Sequence, residues 1–257
     1  MTLRRFWMLA DEMARMALKA DASRLYLGYL WWVLEPLLYV AVFYLVFDVL
    51  LSSPRGDFLA FLMVGKLTFV WFSKSVVHAS RSILAAKGLI GKIDLPKTLF
   101  PIASIQQSLY KQMVVFVLLI VFLLATGHGI TSAWLWLPLI VAVNYLLIAA
   151  CALAASALVC VVEDIAMLVS LAMVFLLFSS GIFWDPRALN PATMEMLFLI
   201  NPIAMLLDAY RQVLMVGAAP AAGHLLGLAV LSGLACLVVA WVMQRTSRYL
   251  ALRAITS

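Results

Sequence analysis

The chain has 257 residues, 66% of them hydrophobic and 12% charged, with a formal net charge of +6 and a mean hydropathy of +1.09. A soluble domain holds about 45–50% apolar residues, so this composition excludes a soluble globular protein and points to an integral membrane protein. The positive charge does not indicate nucleic-acid binding, because the lysines and arginines cluster beside apolar runs, where they set topology or meet anionic lipid headgroups.

Residues 3–24 read as an amphipathic helix. Arg4, Asp11 and Arg15, with Arg5, Glu12, Lys19 and Ser23, recur at intervals of four and seven and share one face, whereas Leu3, Phe6, Met13, Ala17 and Ala20 occupy the other. Such a helix either lies in the membrane interface with its apolar face in lipid or packs on a partner protein, and amphipathicity alone does not separate the two. The apolar run after Arg4 and Arg5 is broken at once by Asp11 and Glu12, so no cleaved signal peptide is expected.

A spanning helix needs about 20 mainly apolar residues. Six stretches qualify, near residues 30–51, 58–79, 99–126, 133–161, 165–184 and 223–243. Arg4, Arg5, Arg15, Lys19 and Arg24, the loop cations Arg81, Lys87, Lys92 and Lys97, and the tail residues Arg245, Arg248 and Arg253 then fall on one side, against Arg55, Arg187 and Arg211 on the other. Both termini are therefore expected in the cytoplasm.

Between spans five and six, Asp185-Pro186, Asn190-Pro191 and Asn201-Pro202 break residues 185–222 into two apolar pieces, each too short to span. A seventh span would place Arg245, Arg248 and Arg253 outside, against the charge bias, so a re-entrant hairpin entering from the outer side is expected. Non-helical backbone at that depth is tolerated only where it is buried in protein or lines water, and the hairpin thus implies a conduit nearby. The expected fold class is an all-α membrane protein with six transmembrane helices, an N-terminal amphipathic interfacial helix and this outer re-entrant hairpin.

Few residues carry chemistry. Cys151, Cys160 and Cys236 lie inside apolar runs and read as small packing residues, and His78, His128 and His224 stand alone, so no metal site is expected. Gly88-Leu89-Ile90-Gly91-Lys92 lacks the spacing of a phosphate loop and is followed by Ile93 where Ser or Thr is required. No catalytic triad or paired-carboxylate arrangement is recognisable either, and no enzymatic role is expected.

Lys66 falls near the middle of the second span, where a charge costs about 2.5–3.5 kcal/mol on insertion scales. It is either a pathway residue or a lysine that snorkels or pairs with Asp48. Glu35 and Lys74 lie roughly 9 Å in from the cytoplasmic ends of spans one and two at 1.5 Å per residue, which makes an ion pair plausible.

The aromatics concentrate in these two spans. Trp31 and Trp32 read as an interfacial belt, while Tyr39, Tyr44 and Trp71 are candidates to stack on sugar rings in a conduit. Gly223 and Gly227, and the Ala-rich stretch 149–157, fit small-residue patterns for close helix packing.

Leu27-Gly28-Tyr29-Leu30-Trp31 with Glu35-Pro36-Leu37, Phe61-Leu62-Met63-Val64-Gly65, and Leu89-Ile90 through Leu95-Pro96-Lys97 follow in order along the chain. After them come Glu163-Asp164-Ile165, Ser180-Gly181-Ile182-Phe183-Trp184-Asp185-Pro186, and Asn201-Pro202 leading to Tyr210-Arg211 and Gly217. In that order and spacing, over nearly the whole length, the chain resembles the permease subunit of ABC-2 type transporters that export bacterial cell-surface polysaccharides, O-antigen or capsule. Lys66 and Glu163 depart from that pattern.

The resemblance implies a single transmembrane domain over 1–257, with an interfacial gate helix in 1–26, a cytoplasmic coupling segment in 80–98 and a periplasmic re-entrant region in 185–222. It implies a homodimeric channel in the bacterial inner membrane, docked on two copies of a separate ATPase that holds ATP and Mg, so that this chain itself carries no cofactor. The substrate would be a lipid-linked polysaccharide.

The same resemblance assigns ATPase coupling to Lys87, Gly88, Leu89, Ile90, Lys92, Asp94 and Pro96, with Leu89 and Ile90 as an apolar docking face. The outer region is assigned to Trp184, Asp185, Pro186, Asn201, Pro202 and Arg211. The competing readings are an ABC-2 exporter of drugs or small lipids and a self-sufficient secondary transporter, although no internal repeat and few mid-span acids support the latter.

Overall fold

The computed structural model of the protein describes residues 2–24, 26, 28–46, 57–93 and 95–256, and no strand occurs among them. Its helices are α1 (Leu3–Arg24), α2 (Trp31–Phe43), α3 (Phe58–Ser80), the single turns α4 (Ser82–Ala85) and α5 (Lys87–Ile90), and α6 (Leu99–Ala125). There follow α7 (Leu137–Val161), α8 (Ile165–Ser179), α9 (Pro191–Ile200), α10 (Pro202–Arg211), α11 (Ala222–Arg245) and α12 (Ser247–Thr256). Asp48, Arg55 and Asp94 lie outside the described residues, as do residues 47–51 at the expected end of the first span.

Among the described residues, five stretches are long and apolar enough to cross a membrane: Gly28–Val46, Phe58–Ser80, Leu99–Ala125, Ser132–Val161 and Ala222–Arg245. The fifth expected span, 165–184, is shorter than its sequence suggests. α8 has 15 residues, about 22 Å at 1.5 Å per residue, against a hydrocarbon core of about 30 Å. It stops because the chain reverses at Gly181, whose φ is +72° and where a Cβ would lie 2.5 Å from Pro186 Cγ. Only glycine takes up that backbone without cost.

The remaining apolar length belongs to a bent pair: α9 and Pro202–Val216 meet at 115°. The bend is built into the residues at the break. Asn190 caps α9 by accepting from Thr193 N at 2.8 Å, and Asn201 caps α10 by accepting from Ile203 N at 3.1 Å and Ala204 N at 3.2 Å. In both helices a proline follows the cap at the first helical position, where its missing N–H costs nothing. No residue of α9 is buried, whereas α10 is buried throughout from Ile203 to Arg211.

The core forms around α3, which packs on α6, α7, α8 and α10 and buries 67% of its apolar window, against 6% for the stretch containing α2. α7 packs on both α11 and α3, with Leu146 against Gly233 and Cys236 of α11, and its Ala149, Ala150, Ala152 and Ala155 are all buried, small side chains that let helices approach closely. Gly223 and Gly227 do not take part in such a contact. A Cβ at either position would meet nothing within 4 Å, because the helix face they share is not covered by this chain.

α1 lies along α6, with Ala10 and Ala14 fully buried. Its polar residues join the contact: Tyr110 of α6 donates its hydroxyl to Asp11, and Asp21 accepts from Gln107 at 2.8 Å and Lys111 at 2.6 Å. The Tyr110 hydrogen bond, reinforced by Arg15, holds the Asp11 carboxyl below its usual pKa. At the same end of the molecule α12 packs on α4, α5 and α7, burying Leu250 and Ala254. The two terminal helices and the α4–α5 segment thus share one end. The bent pair and the turn at Thr131, which abuts Gly217, share the other.

Candidate functional site

A cavity of about 1260 Å³ opens among α1, α2, α3, α6 and α8. Of the four residues proposed as channel candidates, Tyr39 and Lys66 line it, and the Lys66 ammonium sits 5.3 Å from the Tyr39 ring centroid. Tyr44 is about half exposed and does not line the cavity. Trp71 does not line it: it is 3% exposed, packs edge-on against Phe116 at 5.9 Å and borders a small adjoining cavity with Trp32 and Tyr39.

Trp31 and Trp32, read from sequence as an interfacial belt, both line the cavity. Trp32 packs against Tyr29 at 5.0 Å and lies under the Lys111 ammonium at 5.8 Å.

The structure brings Glu35 and Lys74 together: the Lys74 ammonium donates to Glu35 Oε1 on the cavity wall, bridging α2 and α3. Both side chains keep substantial solvent access, so the pair contributes about 1 kcal/mol at most. Reversing either charge alone is expected to lower thermal stability by that order and to impair assembly or transport, and the Glu35→Lys/Lys74→Glu double swap is expected to recover part of both. A double swap no better than the single reversals would defeat the pairing.

The segment assigned to coupling divides by exposure. Lys87, Gly88, Leu89, Lys92 and Ile93 are exposed, Pro96 is half-buried, and Ile90 is buried at 7%. Ile90 therefore belongs to the underside of the α4–α5 turn, where α12 packs, and not to an outward docking face. The outward apolar surface is Leu89 with Ile93, and Tyr249, Leu252 and Ile255 of α12 are exposed nearby, with Ile255 reaching Gly91. α12 carries no motif, and its short amphipathic pattern was the only sequence signal that it joins this surface.

The outer motifs converge on one node. Trp184 Nε1 donates to Phe178 O at 3.0 Å, Asp185 accepts from Arg187 N at 2.9 Å, and Pro186 packs over Gly181. Asn201, besides capping α10, donates to Ser180 Oγ at 3.0 Å. Arg211, 5% exposed, donates to Gly181 O at 2.8 Å and to Ile182 O and Phe61 O at 3.3 Å each, with its guanidinium 3.4 Å from the Phe61 ring centroid.

Gly65 makes room for that guanidinium, since a Cβ there would lie 2.4 Å from Arg211 Nη2. Residues 150 positions apart are therefore held together by one side chain. Sequence reading did not find the clamp beside it, in which Arg187 grips Asp208 through two hydrogen bonds of 2.7 and 2.9 Å.

These features define a multi-pass helical membrane protein with a largely apolar cavity, studded with a few charged and hydroxyl groups, recessed among its spans. The chain belongs to the ABC-2 type transporter family, whose model matches residues 24–215. It is similar to proteins named O-antigen export system permease protein RfbA. One from Klebsiella pneumoniae is 24% identical over 192 residues, covering 74% of each chain. Another from Myxococcus xanthus is 25% identical over 225 residues, covering 87% of this chain and 86% of the relative.

Proposed function

We propose that the chain is the permease subunit of an ATP-driven exporter that moves a lipid-linked cell-surface polysaccharide, O-antigen or capsule, across the bacterial inner membrane. Two copies form the conduit, and two separate ATPase subunits bind ATP and Mg and dock below. The whole chain acts as one transmembrane domain and does no covalent chemistry. Both termini are cytoplasmic, α1 is an interfacial gate helix, and α9 and α10 form a re-entrant hairpin from the outer side.

The observation that carries this reading is the cavity. It is flanked by α1 and reaches the α4–α5 segment at one end, and its wall combines aromatic faces with charged and hydroxyl groups, the mixture that suits a sugar polymer. The relatives named for O-antigen export supply the substrate class.

In this scheme ATP-driven closure of the partners pushes the α4–α5 segment. Differential contact with the two nucleotide states shifts α2 and α3 against α8.

The test is reconstitution of the permease with its ATPase partner in proteoliposomes. A lipid-linked glycan is expected to stimulate hydrolysis and to reach the far side. Stimulation by small amphiphilic drugs or lipids, with none by lipid-linked glycan, would establish the drug or small-lipid exporter reading instead.

A further inference from the structure

We propose that the polymer passing through this cavity bears anionic groups and that Lys66, with the ring of Tyr39, is the anion subsite midway along it, an assignment that rests on the export reading above.

Among the described residues, the charges on the cavity wall do not balance. Lys66, Lys74, Arg81 and Lys111 line it together with only two carboxylates, Asp21 and Glu35, among the described residues. Both carboxylates are already engaged, Glu35 by Lys74 and Asp21 by Lys111 and Gln107. Arg81 and Lys66 remain with no carboxylate partner among the described residues. Arg81 stands at the end that carries the cationic loops, where topology alone accounts for it.

Lys66 stands eight residues into α3, about 12 Å from its outer end. An ammonium with no carboxylate partner among the described residues is expensive at that depth, and the Tyr39 ring offsets only part of the cost. A mobile anion in the cavity removes the rest of the penalty.

A carboxylate or a phosphoryl group suits this site, and two sources supply one: acidic sugars within the polymer, or the phosphoryl group that joins the glycan to its lipid. Trp31 and Trp32 line the same cavity, so quenching of tryptophan fluorescence reports occupancy.

The experiment uses the permease–ATPase complex in phosphatidylcholine nanodiscs, titrated with oligogalacturonate against a neutral glucan of equal length, and with polyprenyl phosphate against polyprenol. The parent protein is expected to prefer at least one anion over its neutral counterpart by about tenfold, the worth of one charge-assisted hydrogen bond. Lys66→Met should abolish that preference and Lys66→Arg should keep it. Methionine removes a charge from the membrane interior, so that variant is expected to fold at least as well as the parent.

Preference for oligogalacturonate alone assigns the subsite to acidic sugars, and preference for polyprenyl phosphate alone assigns it to the lipid linkage. The proposal is overturned if Lys66→Met binds every probe as the parent does, or if the parent prefers neither anion while still binding neutral glycan. If the parent binds none of the probes, the export reading falls, and this assignment with it.

Discussion

Arg211→Leu is expected to destabilise the protein by about 3 kcal/mol, because it leaves the buried carbonyls of Gly181 and Ile182 without their donor at roughly 1–3 kcal/mol each. Phe61 O sits inside α3 and keeps its helical partner, so it adds little. At about 2–4 °C per kcal/mol for a chain of this size, the unfolding midpoint in detergent at fixed scan rate should fall by roughly 6–12 °C. Proteolysis of the isolated turns around residues 181–190 should accelerate in parallel, since Arg211 ties that segment to α3.

Gly65→Ala approaches the same node from the other side. Its Cβ would sit 2.4 Å from Arg211 Nη2, and displacing the guanidinium is expected to cost about 1–3 kcal/mol, as overpacking does in other cores. An Arg211→Leu variant that melts and digests like the parent would show that the node is not what holds the outer pair in place.

The second large effect concerns coupling. Leu89→Asp combined with Ile93→Asp is expected to leave the permease folded and yet to cut affinity for the ATPase partner by more than about a hundredfold, since each apolar side chain loses on the order of 1.5–3 kcal/mol of burial at the contact. Export should be lost while melting is unchanged. Ile90→Asp is expected to behave oppositely and destabilise the permease itself, because it places an unpaired carboxylate under the α4–α5 turn against α12. Normal partner binding by the Leu89/Ile93 variant would sink the docking assignment. Combining Leu89→Asp with Ile90→Asp would mix the two effects, since one residue is exposed and the other buried.

The fold was legible wherever the signal is local. Long apolar runs located α3, α6, α7 and α11 to within a few residues and the start of α2, and Asn-Pro pairs marked the starts of α9 and α10 because cap and proline act on their own turn. α8 was read too long, since hydropathy continues past Ser179 while the backbone turns at Gly181. The length of α1 was legible, but its binding face was not. Asp11 looks like a solvent-facing residue by periodicity, and it accepts a hydrogen bond from Tyr110 only because α6 lies beside it.

The candidate site divides in the same way. Lys66 was conspicuous in sequence because a charge in an apolar run stands out against its neighbours. That it lines a cavity, faces Tyr39 and meets no carboxylate among the described residues depends on α1, α2 and α6 arriving from elsewhere in the chain. Trp71 and Trp32 exchange roles for the same reason: one lies mid-span and the other near a span end, and only the packing of α6 buries the first while the second is left on the cavity wall.

The sequence by itself determined that this is a helical membrane protein, where most of its spans run, and which segments are broken by proline. It did so because hydropathy, helical period and capping are properties of neighbouring residues. Tertiary structure alone decided that Arg211 and Gly65 share one node, that α12 underlies the α4–α5 turn, and that among the described residues the cavity wall carries more cations than carboxylates. Each of those depends on contacts between residues far apart along the chain, and the energy of such a contact appears only when packing removes both partners from water or lipid.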